Sequence, residues 1–289
     1  MNTDQVLLEL KNVNYKYGSG TAFEVHALKD VNLRIGKGEF IGIIGHTGSG
    51  KSTLIQHMNA LVKPTSGQVL YKGEDVWEEK YDRRLLRTHV GLVFQYPENQ
   101  LFETDVLKDV MFGPLNKGLT PEEAKERALT ALSEAGVPEK YYESSPFELS
   151  GGQKRRVAIA GVLAMDPDVL ILDEPTAGLD PAGRDEVLYE IGKLQRERGI
   201  TVILVSHSME DVAEHAGRLL LVHDGQIVKD GMPRDVFGDF KELESMGLAA
   251  PQVTYIMHEL KEKGMAVDTN AVTVTEAAES ILKALGMKG

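Results

Sequence analysis

The chain has 289 residues, 42% of them hydrophobic, which suffices for one large α/β domain or one and a half ordinary ones with a substantial core. A formal net charge of −12 argues against a nucleic-acid-coating protein, and the absence of cysteine excludes a disulfide framework and thiol chemistry. No charged-then-apolar leader opens the sequence and no apolar run approaches the roughly 18 residues of a membrane span, so a cytosolic location is expected, with any membrane role exercised through another subunit.

In chain order, residues 7–17 alternate apolar and polar and break at Gly18-Ser19-Gly20, which predicts short antiparallel strands. Tyr17, at the end of this stretch, is placed to stack on a base, although packing explains a lone tyrosine equally well. The apolar run 40–44 reads as a buried strand. It leads into Gly45-His46-Thr47-Gly48-Ser49-Gly50-Lys51-Ser52, and Thr53 begins a helical pattern. Strand, glycine-rich loop and helix together make a phosphate loop for ATP or GTP. The glycines let backbone N–H groups approach phosphate, Lys51 reaches the outer phosphates, and the Ser52 hydroxyl suits magnesium.

Residues 90–94 read as a strand ending at Gln95, and Pro97 opens a loop. The Gln95 amide is either a solvated loop group or a contact to magnesium or the attacking water. Thr120, Pro121 and Glu123 form a helix start, with Ala124, Ala128 and Leu132 on one face, which predicts an all-helical insert of about residues 97–165. Leu149-Ser150-Gly151-Gly152-Gln153 then precedes a helix predicted over 154–165. It is a second anion-binding element with no nucleotide cradle of its own, so it calls for a partner.

Residues 169–172 form a central parallel strand ending in Asp173 and Glu174 at the ligand crevice. There Asp173 would hold magnesium and Glu174 would orient and deprotonate the water attacking the terminal phosphate. The buried strand 201–206 delivers His207 to the same edge, where it is either structural or orients Glu174 and the γ-phosphate. After Gly231-Met232-Pro233 the character changes. One helix opens at Pro251 with Val253, Ile256, Met257 and Leu260 on one face and ends at Gly264. Another opens at Thr273, with Glu276 completing the cap and Ile281, Leu282 and Leu285 inward.

From Tyr17, the phosphate loop, Gln95, the 149–153 signature, Asp173, Glu174, Ala177-Gly178-Leu179-Asp180 and His207, in that order, the chain resembles the ATP-binding cassette subunit of a membrane transporter over residues 5 to about 232. The resemblance implies an α/β fold. It comprises a phosphate-loop NTPase core with a mostly parallel sheet, an N-terminal antiparallel β subdomain, an inserted helical subdomain, and a C-terminal α-rich extension from 233 to 289. It also implies an active ATPase using ATP and Mg²⁺. Two sites would close in a head-to-tail dimer, with Ser150 and Gly152 of the facing subunit capping the nucleotide on Lys51 and Asp180 lying across the interface. Gly45-His46-Thr47-Gly48, His57-Met58-Asn59-Ala60-Leu61 and, above all, Phe94-Gln95-Tyr96-Pro97-Glu98-Asn99-Gln100-Leu101-Phe102 are similar to the A-component ATPases of energy-coupling factor transporters, second paralogue.

That narrower family implies a paralogous ATPase partner, with a homodimer chemically allowed. It further implies a transmembrane coupling subunit docked on the loop after Gln95, and interchangeable membrane subunits that capture vitamins or transition-metal ions. The chain itself would sit on the cytoplasmic face of the membrane, with its C-terminal extension joining the ATPase pair. The nearest alternative is the cassette of a conventional importer or exporter. A DNA-repair ATPase would carry a long heptad insert, a translation ATPase two cassettes, and a nucleotide-operated clamp would have no need of Glu174.

Overall fold

The computed structural model describes residues 6–287; the first five residues of the nucleotide-binding region and the last two of the extension lie outside them. Two strands open the described chain, β1 (Val6–Tyr17) and β2 (Val25–Gly36), followed by β3 (Phe40–Ile44) and α1 (Lys51–Met58). β4 (Ser66–Tyr71) and β5 (Glu74–Asp75) return to β1 and complete an antiparallel sheet in the order β2-β1-β4-β5. The opening strands are not short: each runs 12 residues. Repeated register shifts between them accommodate that length by bending and twisting the pair.

The chain then forms α2 (Arg83–His89), β6 (Val90–Val93) and the helical insert α3 (Val106–Asn116), α4 (Pro121–Glu134) and α5 (Gly151–Leu163). α4 starts as the sequence predicts, with the Thr120 and Glu123 capping box formed. α5 starts three residues before the expected Lys154 and stops at Leu163, because Ser150 and Gln153 cap each other and draw both glycines into the first turn. Similarly, α1 begins at Lys51, inside the phosphate loop.

β7 (Val169–Asp173), α6 (Pro181–Arg198), β8 (Thr201–Val205), α7 (Met209–His215), β9 (Arg218–His223) and β10 (Gln226–Gly231) complete the larger sheet. Its order is β10-β9-β3-β8-β7-β6, parallel except for β10. Every residue of β3, β7 and β8 is buried, as their unbroken apolar runs require. Alternate side chains serve opposite faces. Ile44, Leu170, Leu172, Val202 and Leu204 pack toward the helical insert and α6, while Ile41, Ile43, Ile171, Ile203 and Val205 pack toward α1 and the antiparallel sheet. This pins the carboxyl ends of β3, β8, β7 and β6 to one edge.

α8 (Pro233–Gly238), α9 (Phe240–Ser245), α10 (Gln252–Glu262) and α11 (Val274–Ala284) follow. Val236, Phe237 and Leu243 belong to the main core, so α8 and α9 are packed into the nucleotide-binding region. A separate small core of Met257, Val267, Ala271 and Ala277 begins only at α10. Thr273 and Glu276 cap α11 as expected, but Ile256 is 51% and Leu285 56% exposed, so both helices turn part of their apolar stripes outward.

Candidate nucleotide site

The phosphate loop connects buried β3 to α1 and lies over the β9–β10 turn. Gly45 has φ +154, and a Cβ there would sit 2.2 Å from the Val222 carbonyl oxygen; at Gly50, φ +110, it would sit 2.7 Å from that of Ala27. Only glycine permits this approach, which turns the first N–H groups of α1 into the cleft. The Lys51 ammonium donates to the carbonyl oxygens of Gly45 (2.6 Å) and His46 (3.0 Å), which holds it beneath the loop.

A cleft of about 550 Å³ opens here, lined by Tyr17, Thr47, Gly48, Gly50, Lys51, Ser52, Thr53, Gln95, Glu174 and His207. Tyr17 stands at the rim, 43% exposed, its hydroxyl 3.0 Å from the Thr53 Oγ1 and its ring edge-on to Tyr15. Glu174 is held from two sides. Its Oε1 lies 2.7 Å from His207 Nε2, and its Oε2 accepts from Gln95 Nε2 at 2.8 Å. Its backbone has φ +50, and its N–H donates to the Val205 carbonyl at 3.0 Å, so the strand ladder enforces a conformation that a non-glycine residue adopts at a cost. Ser208 caps α7 immediately after His207; its N–H donates to Ser206 Oγ, and Arg184 of α6 reaches both Ser208 Oγ and Asp211.

Burial, and then the neighbouring Glu174 carboxylate, raise Asp173 above the ordinary aspartate range; the Ser52 hydroxyl and the Lys51 ammonium oppose this. Burial likewise lowers the Lys51 ammonium, against the pull of Glu174 and Asp173. A phosphate beside Lys51 and a hard dication beside Asp173 and Ser52 would each favour the charged form. This donor set of one carboxylate, one hydroxyl and phosphate oxygens fits magnesium.

The signature lies elsewhere. Ser150, Gly151, Gly152 and Gln153 form the start of α5, the first two exposed and the others half-buried, Asp180 caps α6, and none of the five lines the cleft. Asp173 is set behind it, almost fully buried. The sequence reading missed His26, Ala27 and Lys29 of β2 and the turn residues Asp224 and Gly225, all of which line the cleft. Gly225 donates to the Ser49 carbonyl and accepts from Lys29 N, both at 2.8 Å, and so ties the loop to the antiparallel sheet. Asp-Gly directly after an apolar strand was a legible hairpin signal; its meeting with β2 was not.

A phosphate loop at the carboxyl edge of a parallel sheet, with an acid pair at the end of β7, one strand removed from β3, and a signature helix whose start lies outside the cleft, defines an ATP-binding cassette, and the chain belongs to the ABC transporter family, whose domain model matches residues 28–177. Within it, the chain is 55% identical to the energy-coupling factor transporter ATP-binding protein EcfA2 of Clostridium tetani, over 97% of this chain and 98% of that one. Among solved structures it is similar to CbiO1 of Clostridium perfringens, described as part of the ABC transporter complex CbiONQ: TM-score 0.76, 38% identity, 89% of this chain and 100% of that one. A dimeric ATP-binding cassette in a post-hydrolysis state with ADP and Pi matches at TM-score 0.70 and 33% identity, covering 78% of this chain and 99% of that one.

Proposed function

We propose that the chain is the ATP-hydrolysing subunit of an energy-coupling factor transporter. One observation carries the hydrolytic part: the Glu174 carboxylate, clamped between His207 and Gln95, faces the cleft that contains Lys51 and the phosphate loop. In this reading the α1 N-terminus and Lys51 bind the phosphates, and Tyr17 stacks on the base. Glu174 takes the proton of the attacking water, while His207 and Gln95 orient it. Magnesium, held by Ser52 and Asp173 with Gln95 nearby, would neutralise charge on the phosphates.

Ser150 and Gly152 lie outside their own cleft, which supports a head-to-tail pair in which each subunit caps the other's nucleotide and Asp180 crosses between them. A paralogous partner is favoured, and a homodimer is chemically allowed because both half-sites are on this chain. Among the described residues no helix is long and apolar enough to cross a membrane. Attachment to the cytoplasmic face of the membrane would therefore run through a transmembrane coupling subunit, itself joined to a subunit capturing vitamins or transition-metal ions. Its docking surface is the loop after Gln95, where Phe102 (56% exposed) and Phe112 (45%) meet edge-on at 4.9 Å beside a groove of about 520 Å³. Helices α10 and α11, with outward Ile256 and Leu285, would help join the ATPase pair.

Glu174→Gln tests the chemistry. ATP binding should persist while turnover falls roughly 10²- to 10⁴-fold; wild-type turnover would remove Glu174 as the base. Native mass spectrometry of the complex recovered from gently solubilised membranes tests the assembly. One related ATPase and two different membrane subunits are expected, whereas two copies of this chain on a symmetric permease would point to a conventional transporter.

A further inference from the structure

The cleft's rim carries a cluster that ATP hydrolysis does not use. His46 on the phosphate loop, His223 at the end of β9 and Asp224 in the β9–β10 turn bring one ligand atom each to within 4.8 Å of one another. His46 Nε2 lies 3.7 Å from Asp224 Oδ1, and His223 Nε2 lies 3.7 Å from Asp224 Oδ2. The two rings meet edge-on, centroids 5.1 Å apart.

The His46 tautomer is legible from its contacts. Nδ1 lies 2.8 Å from the Thr47 carbonyl oxygen, which only accepts, so Nδ1 carries the hydrogen. In the neutral ring, Nε2 then presents a lone pair toward a carboxylate oxygen, and a cation, either a proton or a metal ion, joins two such acceptors. A carbonyl behind the ring is also the arrangement that orients metal-bound histidines. His223 Nδ1 has no hydrogen-bond partner, so no other hydrogen bond holds that ring in place.

We propose that His46, His223 and Asp224 form a binding site for a divalent transition-metal ion, of the zinc, cobalt or nickel class, distinct from the magnesium position at Ser52 and Asp173. Two imidazoles and one carboxylate select these ions over magnesium and calcium, which prefer all-oxygen shells. Bonds of about 2.0–2.2 Å to a tetrahedral ion place ligand atoms roughly 3.3–3.5 Å apart. The two 3.7 Å separations run to different oxygens of Asp224 and the three ligand atoms lie within 4.8 Å of one another, so binding requires a contraction of the cluster. Asp224, with its side chain 67% exposed, is free to supply it. The fourth position is left to water.

Such an ion fastens the phosphate loop to the β9–β10 turn, where Gly225 already holds the Ser49 carbonyl. Because Asp224 and Thr47 line the nucleotide cleft, ion and nucleotide affinities are coupled, each changing the other by the same factor.

The test is Co²⁺ titration of the tag-free full chain with excess Mg²⁺ present, read by the visible absorption of bound cobalt. One saturable equivalent is expected, displaced by Zn²⁺, with affinity weakened at least roughly tenfold in His223→Gln and in Asp224→Asn and unchanged in Asp173→Asn. Asp224 is exposed, so Asp224→Asn reports on the site even if His223→Gln disturbs the fold. No saturable absorption, undiminished binding in Asp224→Asn, or loss of binding in Asp173→Asn would each overturn the assignment.

Discussion

At the scale of single residues, the nucleotide site is built from groups that the fold holds in unfavourable states. Glu174 occupies a positive φ and Asp173 a buried position beside a second carboxylate. Active sites commonly retain such costs because the reaction uses the strained group. Asp173 has its pKa raised on folding, so the folded state holds its proton more tightly than the unfolded chain does. Stability is therefore lost as pH rises from the unfolded aspartate range through the raised folded range, and the deficit is complete above it. Asp173→Asn should consequently stabilise the nucleotide-free protein by about 0.5–2 kcal/mol while abolishing magnesium-dependent hydrolysis. A lower melting temperature in thermal unfolding would contradict this.

Among the elements, α5 joins the helical insert to the segment that follows β7. Its Arg155 is 1% exposed and donates from Nη1 to the carbonyl oxygens of Pro175 and Ala177, both at 2.8 Å. Nη2 reaches Glu98 at 3.3 Å. One guanidinium thus joins the signature helix, the segment between Glu174 and Asp180, and the loop after Gln95. Its fixed fork of donors suits this three-way contact as an ammonium would not. Arg155→Ala strands two buried carbonyls and one carboxylate, and should cost about 3–5 kcal/mol in urea unfolding. Glu98→Gln keeps a hydrogen-bond acceptor and should cost clearly less. Equal losses would show that the carbonyl contacts contribute nothing.

Across the whole molecule, the packing separates two parts of the C-terminal extension. Truncation at 251 removes the small core around Met257 and takes only Val272 and the half-buried Tyr255 from the main core, whereas truncation at 233 also removes Val236, Phe237 and Leu243. The shorter deletion should weaken ATPase pairing and leave the remaining domain folded; the longer should lower its melting temperature as well. Analytical ultracentrifugation together with thermal unfolding distinguishes them, and an unaltered dimer after the shorter deletion would refute the pairing role. Acid should also weaken the fold. Burial lowers His57 and His215, so below about pH 6.5 the unfolded chain takes up protons that these folded rings refuse. Burial raises Asp173 and Glu134, which bind protons in the fold and offset part of this loss. The urea midpoint should fall between pH 7.5 and 5.5, and a constant midpoint would refute net control by the histidines.

The sequence alone determined what depends on local spacing: the phosphate loop, the buried strands and their carboxyl-end acids, and the caps at Thr120 and Thr273. Each is written in residues close together in the chain, where backbone geometry and side-chain chemistry are read directly. Only the tertiary structure decided what depends on distant segments meeting. It clamped Glu174 between Gln95 and His207, buried Arg155 against Pro175 and Ala177, drew α8 into the main core, and set His46 against His223 and Asp224. Those juxtapositions follow from strand order, and strand order comes from packing two faces of one sheet rather than from any local run of residues.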